Sequence, residues 1–179
     1  MFIKTMLAFI LLAVSAAASA EAPKATGVYL GLSAGVAVFD DDTFDGFFYD
    51  DEDSAVQGYV GYKFFKHFGI EARVADFGEF SNGFDFLEIS STSIHALGFI
   101  PFGDSGWELF GQIGLARISQ DYFEFFNEDD TATTLGGGVR WHITPGFTIA
   151  AQIDAYVWED SVNDDLGIGT NMLSVQFNF

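Results

Sequence analysis

The chain has no cysteine, which excludes a disulfide framework, a thiolate metal site and the acylated cysteine of a lipoprotein. Basic residues are scarce: 7 Lys plus Arg stand against 26 Asp plus Glu, for a formal net charge of −19. Phosphate recognition needs clustered cations, so nucleic acid is excluded as a partner. Beyond the first 20 residues no apolar run approaches the roughly 20 residues that a membrane-spanning helix requires. There are only 3 His, few for imidazole-based catalysis or metal ligation.

What the sequence holds instead is alternation. In Leu173 to Phe179 the odd positions are apolar and the even ones small or polar. In the first such segment Val28, Leu30, Leu32, Ala34, Val36 and Val38 share one parity, and Tyr29, Gly31, Ser33, Gly35 and Ala37 the other. A period of two puts the two sets on opposite faces of a strand. In a soluble barrel the second set would meet water and be rich in Lys and Glu. Here it is mostly Gly, Ser, Thr and Ala, which suits a narrow lumen inside a wall whose apolar face meets lipid.

The amino terminus agrees with export. Met1 to Lys4 is a short basic start, Met6 to Val14 an apolar core, and Ala18-Ser19-Ala20 a small-residue cleavage site before Glu21. This is the pattern of a secretory signal peptide over 1–20, followed by a short segment over 21–26 and one barrel over 27–179. The alternation predicts strands near 28–38, 55–64, 69–77, 89–100, 107–117, 133–143, 147–157 and 168–179. An even number of antiparallel strands in an up-and-down meander is expected of a bacterial transmembrane β-barrel. The fold class is all-β.

The connections alternate in character. Phe65 to Phe68, Pro101 to Gly106 and Thr144 to Gly146 are short, and the last two have Pro and Gly for turn chemistry. These are expected on the periplasmic side. Phe39 to Ser54, Gly78 to Glu88, Ile118 to Ala132 and Trp158 to Gly167 are long. The acidic stretches 40–53, 76–88, 121–130 and 159–165 in and around them hold 21 of the 26 acids and no Lys or Arg. The outer rim is therefore expected to be strongly anionic.

Several stretches carry a resemblance: Gly61-Tyr62-Lys63-Phe64 followed by Gly69-Ile70-Glu71-Ala72-Arg73, then Leu97 to Gly103, Gly138-Val139-Arg140-Trp141 before Thr144-Pro145, and a terminal Phe179. They resemble the small outer-membrane β-barrel family, which includes the OmpA transmembrane domain and the OmpX and Ail group. The resemblance spans nearly the whole chain after the signal peptide, and its motifs are architectural. It implies a Gram-negative outer membrane, lipopolysaccharide as neighbour, a monomer, and no counterpart of the peptidoglycan-binding domain that follows the barrel in OmpA. Val175, Phe177 and Phe179 match the carboxyl-terminal signal by which the barrel-assembly machinery recognises its clients in that family.

Carried through each strand, the alternation places Lys63, Glu71, Arg73, Glu108, Gln112, Arg140, His142, Gln152 and Asp154 on the inward face. An eight-stranded barrel is only wide enough for side chains to fill. The cations Lys63, Arg73 and Arg140 must then pair with the acids Glu71, Glu108 and Asp154, because an unpaired buried charge is too costly. The interior reads as a plug, with a gated small conductance as the alternative. In the fourth strand Ile94, Ala96 and Ile100 compete with His95, Leu97 and Phe99 for the lipid side, and the pattern leaves the phase open. Tyr62, Phe64, Phe99, Trp107, Trp141 and Phe179 are expected in an outward aromatic girdle near the turn ends. Arg117 shares the outward phase of Trp107. Ten residues at about 3.3 Å, tilted about 40°, climb roughly 25 Å, so Arg117 is expected at the outer headgroups. Lipopolysaccharide phosphates are its candidate partners, and a snorkelling or loop-paired arginine is the alternative.

Catalysis finds little support. Ser93-Ile94-His95 puts a hydroxyl and an imidazole on one face without an orienting acid, His67 lies in a turn, and His142 joins Arg140 in the lumen. Gly136-Gly137-Gly138 is not a phosphate loop, because no Lys-Ser/Thr follows; it relieves crowding in the wall. No cofactor is expected beyond calcium or another divalent cation. Asp41, Asp45 and Glu52 stand at positions 1, 5 and 12 of an approximate calcium loop, with Gly46 at position 6. The same loops are aromatic, from Phe44, Phe47, Phe48 and Tyr49 to Tyr122, Phe123, Phe125 and Phe126, which fits loop packing or an adhesive surface. The expectation is a non-enzymatic envelope barrel with acidic loops. The alternatives are an adhesin or cation- and ligand-binding barrel, a lipid A-modifying enzyme and a small porin.

Overall fold

The computed structural model describes residues 26–40, 52–81, 86–103, 105–122, 126–159 and 165–179. Eight strands follow in chain order: β1 Gly27–Asp40, β2 Glu52–Phe65, β3 Phe68–Ser81, β4 Phe86–Pro101, β5 Trp107–Tyr122, β6 Phe126–Thr144, β7 Phe147–Glu159 and β8 Asp165–Asn178. Each pairs antiparallel with its sequence neighbour, and β8 returns to β1 with Leu32 opposite Val175, closing the barrel. No described helix is long and apolar enough to cross a membrane, which says nothing about crossing with strands.

The period-two pattern produces this wall directly. Leu32, Ile113, Leu135, Ile153 and Leu173 point outward and are well exposed, while Ser33, Gln112, Thr134, Gln152 and Ser174 point inward and are buried. A cylinder of one sheet can satisfy every strand edge only by closing on itself. The short connections all lie at one end of the barrel, the turn end. Trp107 and Trp141, opposite each other on β5 and β6, stack there with ring centroids 5.4 Å apart. Tyr62, Phe64 and Phe179 are also outward at that end, as expected of a girdle.

Two sequence expectations need correction. The strands run further from the turn end than the alternation indicates: the sixth covers 126–144 rather than 133–143, and the third 68–81 rather than 69–77. Apolar alternation marks only the band that meets lipid. Beyond it the ladder continues with polar outward residues, so Asp129 lies opposite Ser119 on the outward face, while Asp130 lies opposite the buried Ile118. Gly78, expected to begin a loop, sits in a register shift on β3 with a positive φ of 88°. That left-handed backbone favours glycine, and a Cβ there would collide with the Asp53 carboxylate.

The second correction concerns Phe99. The fourth strand takes the phase in which Ile94, Ala96 and Ile100 face outward, and His95, Leu97 and Phe99 are buried in the lumen. Phe99 is therefore no part of the girdle. Its ring lies under two cations, with Lys63 Nζ 4.3 Å and Arg140 Cζ 5.0 Å from its centroid. Desolvated cation–π contacts of this kind are worth about 2 kcal/mol each, enough to fix the phase of a strand whose two faces are almost equally apolar.

Candidate functional site

The lumen is built in two tiers. Nearer the turn end, β2, β3, β5, β6 and β7 deliver Lys63, Glu71, Arg73, Glu108, Arg140 and Asp154 to the inside. Arg73 is the hub. Its Nε lies 2.5 Å from Glu71 Oε1 and its Nη1 3.1 Å from Asp154 Oδ2, while Nη2 donates to Gln112. Gln112 and Gln152 both donate to Asp154. Arg140 reaches Glu71 Oε2 at 3.4 Å, with its guanidinium over the Phe110, Phe99 and Tyr29 rings. Lys63 donates to Glu108 at 2.5 Å. Each carboxylate thus meets at least one cation, as the low-dielectric lumen demands.

Two tyrosines wedge this tier against the wall. Tyr29 is opposite Gly61 and Tyr59 opposite Gly31, and each ring covers the glycine across from it. A Cβ on Gly61 would collide with the Tyr29 ring at Cζ. Aromatic cover over a facing glycine stabilises a curved sheet. Gly136 plays a related part on β6, opposite Asp154, where a Cβ would collide with Asp154 Oδ1 and fall 2.6 Å from the Ile153 carbonyl oxygen. Gly136→Ala is accordingly expected to cost about 1–3 kcal/mol by overpacking. The urea midpoint of the folded-to-unfolded shift in gel mobility measures it, and an unchanged midpoint would refute the packing argument.

Around the turn-end mouth runs a polar relay. Gln176 Nε2 donates to Asn178 Oδ1 at 2.6 Å, and Asn178 Nδ2 donates to Thr148 Oγ1 at 3.0 Å. The Thr148 hydroxyl is also hydrogen-bonded to His142 Nδ1, 2.8 Å away. His142 Nε2 faces Glu108 Oε1 across 3.6 Å. The alternation of β6 places His142 beside Arg140, but it holds no sign of Thr148, Gln176 and Asn178 as partners, because the three lie on two other strands.

The far tier is apolar. Ala37, Ala55, Ala75, Phe77, Ile89, Ala116, Ile118, Ala132, Tyr156, Trp158, Ile168 and Met172 form one buried cluster. Phe77 meets Tyr156 edge-on with centroids 5.0 Å apart. The expected interior of small and polar groups omits this cap.

The remaining candidates are scattered. His95 Nε2 contacts Ser93 Oγ at 2.8 Å, and its Nδ1 contacts Thr134 Oγ1 at 3.3 Å. The imidazole is buried and bonded to a hydroxyl at both nitrogens, and Glu71, opposite it on β3, bonds to Arg73 and Arg140 instead. Arg117 is exposed on the outward face and pairs with Asp129 at 2.5 Å, while Ser119 Oγ also donates to Asp129 at 2.7 Å. Hydrogen bonds from Arg117 and Ser119 hold the Asp129 carboxyl below its ordinary value. This pair's contribution is complete above the ordinary carboxylate value, is lost as pH falls through the lowered one, and is weakened by salt. Of the calcium candidates, Asp41 and Asp45 lie outside the described residues, and Glu52 opens β2 opposite Val38. Among the described residues no group of three His, Asp or Glu is placed to hold a metal ion. Val175, Phe177 and Phe179 share the outward phase of β8, and Phe177 packs on Phe147 with centroids 5.6 Å apart.

The same architecture recurs in known proteins. The profile of the family described as outer membrane protein beta-barrel domain matches residues 6–179. Among solved structures, Neisserial surface protein A is similar at 14% identity and a TM-score of 0.62, covering 86% of this chain and 97% of that one. Ail of Yersinia pestis, in complex with the heparin analogue sucrose octasulfate, is similar at 16% identity and a TM-score of 0.61, covering 87% and 100%. The N-terminal β-barrel domain of Pseudomonas aeruginosa OprF is similar at 16% identity and a TM-score of 0.60, covering 86% and 99%. No curated protein matches the chain.

Proposed function

The chain belongs to the outer membrane protein beta-barrel domain family and resides in the outer membrane of a Gram-negative bacterium, and from that premise we propose a non-enzymatic envelope barrel with a closed lumen and an acidic outer surface. The observation that carries this reading is the stacking of two filled tiers, a paired charge network below an apolar cap. An ion crossing the barrel would have to break buried ion pairs and then pass the packed rings of the cap. Purified, refolded protein in a planar bilayer is expected to show no long-lived stepwise openings. Stable steps would overturn the closed lumen.

In this reading the turn end is periplasmic and the extended strand ends are extracellular. A non-enzymatic role is supported by the burial of Ser93 and His95 inside the wall, out of reach of a lipid substrate. A closed cylinder has no free edge to pair with a second copy, which favours a monomer. Val175, Phe177 and Phe179 on the outward face of β8 supply the segment for recognition by the assembly machinery. The complex of Ail contains a sulfated sugar. An equivalent polyanion is a poor partner here, because acids dominate the extended strand ends. Any adhesive role is better matched to a cationic or apolar surface.

Arg117 supports a second, more local reading. It stands where the outward residues of β5 change from Leu115 to Ser119, at the upper limit of the apolar band, and it is exposed. Lipopolysaccharide phosphates are the matching chemistry, in competition with Asp129. Arg117→Ala is expected to reduce, and Asp129→Asn to increase, the lipopolysaccharide that copurifies with the barrel. Equal retention in all three proteins would dispose of the contact.

A further inference from the structure

The apolar band is not level around the barrel. Ladder partners followed from Gly27 once round the eight strands return to β1 at Ala37, ten residues further from the turn end. A path along partners therefore climbs about five residues for every four strands. From Ala155 on β7, three steps back through Leu135 and Ile113 reach Ala96 on β4. With a climb of about four residues over those steps, Thr92 stands level with Ala155. At that level β3 and β4 are already polar outside, where Asp76 and Thr92 are exposed. On the opposite side the wall stays apolar for about two residues more. Val157 is 50% exposed there and Val38 half-buried, both on the outward face. Between them β8 contributes Gly169, and Asn171 is the exception in that sector.

The turn end slopes the same way. The turns from β2 to β3 and from β4 to β5 lie below the side where the band stops early. They carry Phe65, Phe68 and Phe102, 69%, 64% and 49% exposed, with the exposed Lys66 between the first two. The Thr144 to Gly146 turn from β6 to β7 has no large apolar side chain. Strand lengths agree: β4, β5 and β6 have 16, 16 and 19 residues, against 13 and 14 for β7 and β8. From Ile94 on β4 to Val157 on β7 the upper edge of the band rises by about four residues, or roughly 9 Å along the axis. Over an outer width of roughly 25 Å that is an inclination of about 20°.

A flat bilayer covers an inclined band when the barrel leans. We propose that the barrel stands tilted by about 20° towards β8, with Phe65, Phe68 and Phe102 in the interface of the periplasmic leaflet and the far ends of β3 to β5 clear of the outer one. The partner of the turn surface is phospholipid, since aromatic rings suit the interface and Lys66 the phosphates. Asn171 is drawn below the outer headgroups and limits the lean. The tilt presupposes the transmembrane placement with a periplasmic turn end.

The chain has no cysteine, so Thr92→Cys and Ala155→Cys can each carry a single nitroxide in the barrel reconstituted into phosphatidylcholine bilayers. Collision rates with oxygen and with a nickel chelate report depth. The label at 155 is expected roughly 8 Å deeper than the label at 92, although the two are level on the barrel. At the other end, a label on Phe102→Cys is expected deeper than one on Gly146→Cys. Equal depths within both pairs overturn the tilt. A difference in the upper pair without one at the turn end also overturns it, because that is a bilayer thinned beside β4. Four labels open to the nickel chelate would instead remove the transmembrane placement itself. Should Phe102→Cys fail to refold, Lys66→Cys reports on the same side.

Discussion

Arg73→Met is expected to destabilise the barrel by about 3–5 kcal/mol, the range for removing one partner of a buried ion pair. Arg73 serves Glu71, Asp154 and Gln112 together. Its removal leaves Asp154 without the cation it pairs with and Glu71 with Arg140 alone, at 3.4 Å. The cost should arise from the acids left behind more than from the missing hydrogen bonds themselves. Neutralising them tests this: Arg73→Met combined with Glu71→Gln and Asp154→Asn is expected to recover most of the stability. Urea titration in micelles, followed by gel mobility, measures both proteins. A single-mutant effect under about 1 kcal/mol, as for an exposed pair, would mean that water penetrates the tier and that the lumen is not dry around Arg73.

The second large effect belongs to the apolar cap. Phe77→Ala is expected to cost about 3–5 kcal/mol, as for large-to-small changes in a packed core. Phe77 is fully buried on the inward face of β3 and meets Tyr156 of β7 across the lumen. Phe77→Leu keeps most of the volume and is expected to cost less than about 1.5 kcal/mol. Opening the cap should also alter permeation: Phe77→Ala with Trp158→Ala removes two of its largest rings, and brief conductance events are expected in a planar bilayer where the parent is silent. If both substitutions leave stability and conductance unchanged, the far tier does not seal the lumen.

The fold is legible in the sequence because a barrel wall obeys a local rule. Every strand but β4 shows its phase in its own alternation, as Val28 to Val38 and Leu173 to Phe179 do, and closure follows from the need to satisfy edge strands. The inward placement of Lys63, Glu71, Arg73, Glu108, Arg140 and Asp154 needs nothing more than that phase. Their pairing needs the register between strands, which no single strand records. Arg73 meets Asp154 across 81 positions of sequence. The phase of β4 is ambiguous in the sequence because both its faces are apolar, and it is decided by Lys63 and Arg140, which lie on other strands. The apolar cap does leave a signal. Phe77 shares the parity of Glu71 and Arg73, and Tyr156 and Trp158 share that of Gln152 and Asp154. Polar residues stand out in an inward phase, whereas large apolar ones in the same phase do not. Strand ends beyond the apolar band are hidden for the opposite reason: with water on the outside, pairing continues without the hydrophobic alternation that announces it.

The seam between β1 and β8 has a consequence for synthesis and assembly. Ser33 bonds to Ser174 across 141 positions, so the hydrogen-bonded ladder that closes the barrel joins the two extremes of the barrel sequence. Until β8 arrives, β1 and β7 each present an unpaired edge, and the closing contacts carry the greatest loop-closure entropy in the chain. A seven-stranded sheet without β8 would leave two edges open to intermolecular pairing. A shortened β8 would leave the chain with an open seam whatever the merit of its interior.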